Sequence, residues 1–215
     1  IAATMFSVAL VVATLLSLVA LNEGLEKTLA LSGDAKTALV LRGGSQAEIN
    51  SLVTREQVDI LRATPGVNLV SPEANLIVDG YRKEDNERAK ISLRGVTESG
   101  IALRSAVSLR EGRWPVPGSL ELAVGTAIAR DYIGMQVGDT IEFRDARWSI
   151  VGEFESAGSI AESEIWGDLL AVQNLFRRPN LVQSVRLRLE ERDVMAAISE
   201  LNREDPRLQL SIQSE

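Results

Sequence analysis

The chain has 215 residues, 45% of them hydrophobic and 25% charged, which is enough to form one large domain or two small ones. Lys and Arg total 23 against 30 Asp and Glu, and no basic run stands out, so no nucleic-acid partner is expected. Cysteine and histidine are absent, which excludes thiolate nucleophiles, disulfides, the common zinc sites and the usual general base near neutral pH.

The first segment, from Ile1 to Leu21, carries no charge and predicts a membrane-spanning helix. At about 1.5 Å per residue it reaches roughly the 30 Å of a hydrocarbon core. The alternative is a signal peptide, whose apolar region is about 7 to 15 residues long and follows a basic start. Leu25 and Leu29 continue the helical spacing until Gly33, so residues 1–33 are predicted as a transmembrane helix with an extracytoplasmic extension.

A β-α-β unit is predicted directly after this segment. The run TALVLRG is typical of a short buried strand, and Thr54 with Gln57 forms a capping box that opens a helix ended by Pro65 and Gly66. The runs VNLVSPEANLIVDGYR and AKISLRGV then predict two strands that flank the charged turn RKEDNER.

A second β-α-β unit is predicted near the end of the chain. The alternation of SVRLRLE indicates a half-buried strand, Asp193 can cap a helix, and RLQLSI alternates again. In the strand, we expect Val185, Leu187 and Leu189 to point inward and Arg186, Arg188 and Glu190 to point outward. In the helix, the expected inward face is Val194, Ala197, Ile198 and Leu201.

The two units predict an α+β fold in which residues 34–95 and 181–215 form one split β-α-β subdomain. The stretch between them, residues 96–180, is predicted as an inserted β-rich subdomain. It holds all three tryptophans and a short helix from Thr126 to Tyr132 that Gly134 closes. The segments IEF and WSIVGEF are expected to pair across the turn at Arg144.

Two carboxylates in this insertion raise a question of chemistry. Glu153 and Glu155 are two residues apart on a predicted strand, so they share one face while Phe154 points to the other. They could form an acid/base pair or a Ca²⁺ site, or they could be the solvated face of a strand. The solvated face is favoured, because only 4% of the chain is aromatic and a carbohydrate cleft is therefore not expected.

A second acidic group surrounds Ile165 and Trp166. Glu162, Glu164 and Asp168 offer oxygen ligands for a cation, but their spacing does not match an EF-hand loop. Strand alternation predicts that Ile165 faces inward while Glu164 and Trp166 face out together as a contact surface. The alternative, structural packing of Trp166, is the favoured one.

The run LREGRWP offers a third candidate. Arg110, Arg113 and Trp114 could stack on a ligand or bind a carboxylate. The favoured alternative is a turn in which Gly112 supplies an unusual backbone angle and Trp114 packs into the β core. Possible partner contacts are therefore assigned to Trp166, Glu164, Trp114 and Arg113.

The remaining motifs predict no catalysis. No histidine can activate a serine, no S-x-x-K dyad occurs, and no G-x-x-x-x-G-K-[ST] run could hold a phosphate. We therefore expect no catalytic residue, no cofactor-binding residue and no metal-binding residue.

The order of these segments resembles a known family. An apolar helix, a split β-α-β domain, and the runs REGRWP, LELAVGTAIARDYIGMQVGDTIEF, WSIVGEF and GSIAESEIWGD are similar to the extracytoplasmic core domain of MacB/FtsX-type ABC transporter permeases. The resemblance covers nearly the whole chain, and the middle run carries most of it. It implies a porter-like split subdomain and a sabre-like β-rich insertion.

The resemblance also implies partners and a location. Such domains lie on the periplasmic side of the bacterial cytoplasmic membrane, between the first and second spans of the permease. The expected partners are a second permease chain, a cytoplasmic ATPase, and a periplasmic adaptor or lipoprotein. ATP hydrolysis would be relayed through the first helix, and no family catalytic residue or cofactor is implied.

Two other functions stay open from the sequence. One is a membrane-anchored sensor ectodomain that binds a ligand through its middle subdomain. The other, least favoured, is an extracytoplasmic hydrolase that uses Glu153, Glu155, Glu162 or Glu164.

Overall fold

The computed structural model describes Met5 and residues 12–21, 36–144, 146–177, 179–191, 193–205 and 208–214. The chain divides into two compact units, Ile1–Asp34 with Glu215, and Ala35–Ser214. In the first unit Met5 and residues 12–21 are helical. The predicted continuation through Leu25 and Leu29 lies outside the described residues. Within the described ranges, the helices are all too short or too polar to cross a membrane.

The second unit is built from strands with a few short helices. Its strands are β1 Thr37–Arg42, β2 Val53–Thr54, β3 Val67–Tyr81, β4 Arg88–Val96, β5 Ser108–Gly112, β6 Glu121–Gly125, β7 Thr140–Phe143, β8 Ala146–Glu155, β9 Glu164–Asp168, β10 Leu181–Val182, β11 Ser184–Leu189 and β12 Leu210–Ser214. Its α-helices are α1 Arg55–Ala63, α2 Glu98–Ala102, α3 Thr126–Asp131, α4 Leu169–Leu175 and α5 Asp193–Glu204. Two short 3₁₀ helices cover Glu48–Asn50 and Ile160–Ser163.

Ten of these strands form one mixed sheet. Their order is β12-β1-β11-β3-β4-β9-β6-β8-β5, with β7 paired to β8, and β2 and β10 form a separate pair. Most neighbours are antiparallel, but β4 pairs with β9 and β6 pairs with β8 in parallel. The predicted α+β class is confirmed.

The two β-α-β units come together as the sequence indicates. The strands β12, β1, β11 and β3 are neighbours and are all antiparallel. The capping box at the start of α1 is formed, because the side chain of Thr54 accepts from the Gln57 backbone and the Gln57 side chain accepts from Thr54. Val58 and Leu61 are the buried residues of α1.

Strand β3 runs through both parts of the sheet. From Val67 to Glu73 it pairs with β11, and from Ala74 to Tyr81 it pairs with β4. The strands on its first half come from the β-α-β units, and β4 continues to β9 inside the inserted stretch. The predicted subdomain boundaries, 34–95 with 181–215 and 96–180, stay a prediction.

Two details of the second β-α-β unit differ from the sequence analysis. Arg186 was expected on an outward face but is buried, because β11 is a central strand covered on both faces. In α5, Val194 and Ile198 are buried and Leu201 is partly buried, but Ala197 is exposed. A side chain as small as that of Ala gives little periodic signal, so its side of the helix was assigned wrongly.

The apolar core forms two clusters. The larger cluster spans the sheet, with Leu61, Leu93, Leu122, Ile150 and Leu187 among its fully buried members. The smaller cluster consists of Val96, Ala123, Phe154 and Trp166, with Trp114 packed against it. This smaller cluster lies beside the charged residues that form the candidate site.

Candidate functional site

Two parallel strands end side by side within the larger unit. In the β4–β9 pair, Ser92 lies opposite Glu164 and Val96 lies opposite Asp168. Strand β4 leads into α2 and strand β9 leads into α4. The side chains of Thr97 and Asp168 accept hydrogen bonds from the first turns of these two helices. The side chains that meet here form the candidate site.

Arg94 is the centre of a buried ion cluster. We define the ion cluster as Glu48, Glu73, Arg94, Arg104, Glu164 and Arg186. Arg94 donates to Glu164 twice, from Nε to Oε2 at 2.8 Å and from Nη2 to Oε1 at 2.7 Å. Its Nη1 donates to Glu48 Oε2 at 2.6 Å and to Glu73 Oε2 at 3.0 Å. Burial alone would lower the pKa of Arg94, but the carboxylates, Glu164 first, raise it well above its ordinary value.

Glu73 is the most deeply buried member of the ion cluster. Its side chain is 0% exposed, and Arg104 donates to both of its carboxylate oxygens at 2.7 Å. The Nε atom of Arg186 lies 3.5 Å from Glu73 Oε1. Burial alone would raise the pKa of Glu73, but Arg104, Arg94 and Arg186 together lower it to about 2. Glu73 is therefore ionised at neutral pH.

The ion cluster joins the two parts of the sheet. Glu73 and Arg186 lie on β3 and β11, whereas Arg94 and Glu164 lie on β4 and β9. Burial lowers the pKa of Arg186 to about 10. Glu73 raises this pKa, but the neighbouring charges of Arg104 and Arg94 lower it further. Arg186 still carries its charge at neutral pH, so three Arg and three Glu balance. Removing one partner would leave an uncompensated buried charge.

The short helix α2 lies against the ion cluster. Arg104 donates to the carbonyl of Gly100 at 2.8 Å as well as to Glu73. A Cβ atom on Gly100 would lie 2.5 Å from Ser71 Oγ and 3.3 Å from Glu73 Oε1. Ser71 Oγ in turn lies 3.0 Å from Thr97 Oγ1. A larger residue at this position would displace Ser71 Oγ from its contact with Thr97.

The predicted outward surface of Glu164 and Trp166 is wrong. Both side chains are buried, because the ion cluster and α2 cover the face of β9 that alternation assigned to solvent. Trp166 donates from Nε1 to Glu164 Oε2 at 2.8 Å. Its ring lies 4.3 Å from that of Phe154 between centroids, and the Arg104 guanidinium lies 5.0 Å from its centroid. The packing alternative for Trp166 is confirmed.

Trp114 and Arg113 follow directly after β5, whose last residue is Gly112, and they have different surroundings. The backbone φ of Gly112 is 75°, which confirms the predicted unusual angle, but Gly112 lies in β5 opposite Gly152 and not in a turn. The Trp114 ring stacks on Trp166 with centroids 6.0 Å apart, so Trp114 packs against the smaller core. Arg113 is exposed and donates to both carboxylate oxygens of Glu121 at 2.7 and 2.5 Å. A partner contact of Arg113 and Trp114 stays a prediction.

The carboxylates proposed as alternatives for catalysis have structural contacts. In β8 Phe154 is buried and Glu155 is exposed, so the predicted alternation is confirmed. Glu153 accepts from Arg110 at 3.0 Å. Glu162 accepts from the backbone N–H groups of Ser156 and Gly158, both at 2.8 Å, which lowers its pKa.

The cation site considered for Glu162, Glu164 and Asp168 is not assembled. Glu162 caps its own loop, Glu164 pairs with Arg94, and Asp168 caps α4. In the part of the chain that the structure describes, no group of three or more Asp and Glu residues could hold a metal ion.

Most of the ion cluster was not predicted from the sequence. Glu48, Glu73, Arg94 and Arg104 were not among the candidate residues, and Arg186 was expected to face solvent. One signal was available: Glu73 and Arg94 lie inside strands whose neighbours are apolar or small. A charge in such a run is buried only when it is paired. The sequence does not reveal which charges pair, since Arg94 and Glu164 are 70 residues apart.

An open groove lies beside the ion cluster. It has a volume of about 660 Å³ and is lined by Arg55, Val58 and Arg62 of α1, Pro72 of β3, and Leu169 and Leu170 of α4. A smaller crevice of about 240 Å³, lined by Ile101 and Trp114, shares Thr97, Glu98, Pro117 and Asp168 with it. We call the larger of these cavities the groove.

The larger unit is an α+β domain built on one ten-stranded mixed sheet, and buried charges link neighbouring strands of that sheet. A family model described as the MacB-like periplasmic core domain matches residues 1–203. The chain therefore belongs to the family of MacB-like periplasmic core domains. Among curated proteins, no significant match is found.

Solved structures share this fold. The periplasmic region of MacB from Actinobacillus actinomycetemcomitans is 13% identical, with a TM-score of 0.64 over 86% of this chain and 91% of that one. The extracellular domain of the noncanonic ABC-type transporter YknZ from Gram-positive bacteria is 15% identical, with a TM-score of 0.61 over 83% and 100%. A domain of a permease-like protein from Porphyromonas gingivalis is 15% identical, with a TM-score of 0.55 over 83% and 88%.

Proposed function

We propose that this chain is the extracytoplasmic domain of an ABC transporter permease and that it couples ATP hydrolysis inside the cell to work outside the membrane. Membership of the MacB-like periplasmic core domain family supports the location and the transporter class. The ATPase that drives the cycle is a separate subunit or domain, and the domain itself is not an enzyme. The proposed location of the protein is the bacterial cytoplasmic membrane, with the larger unit on the outer side.

The ion cluster is the observation that carries the coupling part of this proposal. A domain that transmits force must move as one body, since a loose joint between its halves would absorb the displacement. Here β3 is shared by both parts of the sheet, and Glu73 on β3 is clamped by Arg94 and Arg104. Buried ion pairs add little net stability, and we propose that this ion cluster instead fixes one arrangement of the strands that it joins.

The proposed partners are a second permease chain and a cytoplasmic ATPase, with a periplasmic adaptor or lipoprotein as a further partner. The porter-like and sabre-like parts correspond to the two predicted subdomains. Arg113 stands exposed on the predicted insertion and Trp114 lies half-buried beside it, which keeps them available as a partner contact.

The test uses the assembled permease with its ATPase in nanodiscs. The chain has no native cysteine, so Ile77→Cys on each permease chain of a pair places one spin label per outer domain. Ile77 is 42% exposed on β3, so a label should be tolerated there. We expect the distance between the two labels to change when ATP replaces ADP, as measured by double electron–electron resonance.

A variant separates coupling from assembly. In Arg94→Lys the charge stays but the two parallel hydrogen bonds to Glu164 cannot form. We expect ATP hydrolysis to continue while the change in label distance becomes smaller or broader. An unchanged distance distribution between the ATP and ADP states of the unmodified complex would contradict the proposed function.

A further inference from the structure

Residues 43–50 form a surface segment in which no residue is buried, and we call this segment the lid. The lid lies between the buried residues Leu41 and Ser51 and contains the 3₁₀ helix Glu48–Asn50. Its apolar side chain, Ile49, is 45% exposed. A segment with few buried contacts opens at a lower free energy than the core strands of the same protein. The lid is therefore suited to open locally while the sheet stays folded.

One side chain ties the lid to the sheet. The backbone hydrogen bonds of the lid are local, such as that from the Asn50 N–H to the Ala47 carbonyl at 3.2 Å, except that Gly43 donates to the Gln209 carbonyl at one end. Within the part of the chain that the structure describes, the side-chain hydrogen bonds that join the lid to the sheet all involve Glu48. The position of the lid therefore depends on one carboxylate.

The Glu48 carboxylate occupies a site that the sheet builds. Its Oε2 accepts from Arg94 Nη1 at 2.6 Å and from Ser184 Oγ at 3.2 Å. Ser184 is 0% exposed and lies opposite Glu73 in the β3–β11 pair, and the Arg94 side chain is 7% exposed. Both donors are thus held by neighbouring strands and point at one anionic group, which is the arrangement of a charge-assisted hydrogen-bond site.

The ion cluster is balanced only while Glu48 is in place. Without Glu48, its three arginines would face only the carboxylates of Glu73 and Glu164. Burial lowers the pKa of Arg186, and Glu48 is one of the two carboxylates that raise it, so Arg186 also interacts with the charge at this site. A buried cation without a partner is strongly unfavourable. An open lid would consequently leave a cationic site that a second carboxylate could neutralise.

We propose that Arg94 and Ser184 form a carboxylate-binding site, which Glu48 fills when the lid is closed and an external carboxylate fills when the lid is open. Glu48 itself shows the chemistry that the site accepts. The external carboxylate belongs either to a small free acid or to an acidic side chain of a partner protein. In either case it holds the lid open while the ion cluster stays balanced. The inference goes beyond the proposed function and does not depend on it.

The first measurement is hydrogen exchange of the full chain in nanodiscs, which reports whether the lid opens by itself. Ser184→Ala removes one hydrogen bond to Glu48 and keeps every charge of the ion cluster. We expect this variant to speed exchange at the hydrogen-bonded amides of Asn50 and Ser51 at least about fivefold, and to change exchange in β3 and β4 by less than about twofold. Equal acceleration in the lid and in these strands would overturn separate opening of the lid.

The second measurement adds an external carboxylate to Glu48→Ala, in which the site has lost its own. Unfolding of the larger unit is followed by the fluorescence of Trp114, Trp148 and Trp166. We expect acetate to raise the unfolding temperature by about 2 to 4 °C relative to chloride at equal ionic strength, and the rise to saturate with concentration. In the unmodified chain the rise should be smaller, because Glu48 competes for the site.

The matched control is Glu121→Ala, which removes a carboxylate from the exposed pair with Arg113. Acetate should then act on the control as it acts on the unmodified chain. An equal effect of acetate on Glu48→Ala and on the control would assign the effect to the solvent and would overturn the carboxylate site.

Two peptides distinguish the source of the external carboxylate. One is the blocked, fluorescein-labelled peptide SQAEINS, which copies residues 45–51, and its twin carries Gln in place of Glu. An acidic side chain of a partner predicts that Glu48→Ala binds the first peptide about tenfold more tightly than the twin, as measured by fluorescence anisotropy. A small free acid predicts stabilisation by acetate and equal binding of the two peptides. Equal binding of the peptides without stabilisation by acetate would overturn the site. These measurements do not use the ATPase, so their outcome is independent of the change in label distance.

Discussion

Two arginine–glutamate pairs in this chain have nearly the same geometry and opposite surroundings. Arg94 meets Glu164, and Arg113 meets Glu121, each through two parallel hydrogen bonds. The first pair is buried, with side chains 7% and 8% exposed, and the second is open, at 53% and 20%. The contribution of each pair to stability depends on its solvation, because an exposed pair stays hydrated and a buried pair does not.

The pairs also differ in connectivity. Arg113 and Glu121 form a local contact eight residues apart, just after β5, and the hydrogen bond from Arg113 lowers the pKa of Glu121 to about 2. Arg94 instead joins carboxylates from three different elements. A pKa of about 2 is therefore found both for Glu73, in the buried ion cluster, and for Glu121, in an exposed local contact.

The largest expected effect is that of Arg94→Met. The substitution leaves Glu73 and Glu164 buried with fewer partners, so we expect a loss of about 3 to 5 kcal/mol in the free energy of unfolding. Urea unfolding at neutral pH measures it.

Adding Glu164→Gln to Arg94→Met removes one of the stranded charges. We expect the double variant to lose less than the sum of the single losses, because the two residues are in direct contact. Additive losses would show that the two residues do not act as a buried pair.

The second largest effect is expected when acid protonates the ion cluster. The folded-state pKa of Glu73 is about 2, below its ordinary value of 4.5. Its contribution is therefore present above about pH 4.5 and is lost as the pH falls toward 2, a change on the order of 3 kcal/mol. The free energy of unfolding from pH 7 to pH 2.5 measures this dependence. In Glu73→Gln the decline should be shallower, and an equally steep decline would assign the acid sensitivity to other carboxylates.

The smallest expected effect is that of Arg113→Gln. Its pair with Glu121 is exposed at the arginine, so we expect a loss of less than about 1 kcal/mol. The remaining difference should shrink in about 1 M NaCl, which shortens the screening length to about 3 Å. A loss as large as that of Arg94→Met would erase the distinction between the buried and the exposed pair.

Local signals in the sequence predict much of this fold. The capping box at Thr54 and the alternation in β8 each depend on residues a few positions apart, and both are confirmed. The α+β class follows from the order of such elements. The parallel pairing of β4 with β9 does not, because their partners lie 72 residues apart in the chain.

The candidate site was harder to predict because burial of a charge depends on what covers it. Alternation placed Glu164 and Trp166 on one face of β9 correctly, but it could not show that α2 and Arg104 close over that face. The same limit applies to Arg186 on β11. A period of two identifies which side chains share a face, and only the fold decides whether that face is wet.

The shared strand β3 affects how the domain could be divided. Because its two halves pair with β11 and with β4 in one unbroken backbone, the predicted insertion is not attached by a linker that could swivel. Excision of residues 96–180 would leave β4 with one bare edge where β9 had been, and the excised piece would expose β9 in the same way. Family members that differ in residues 96–180 are expected to vary the loops of this region and to keep the length of β3.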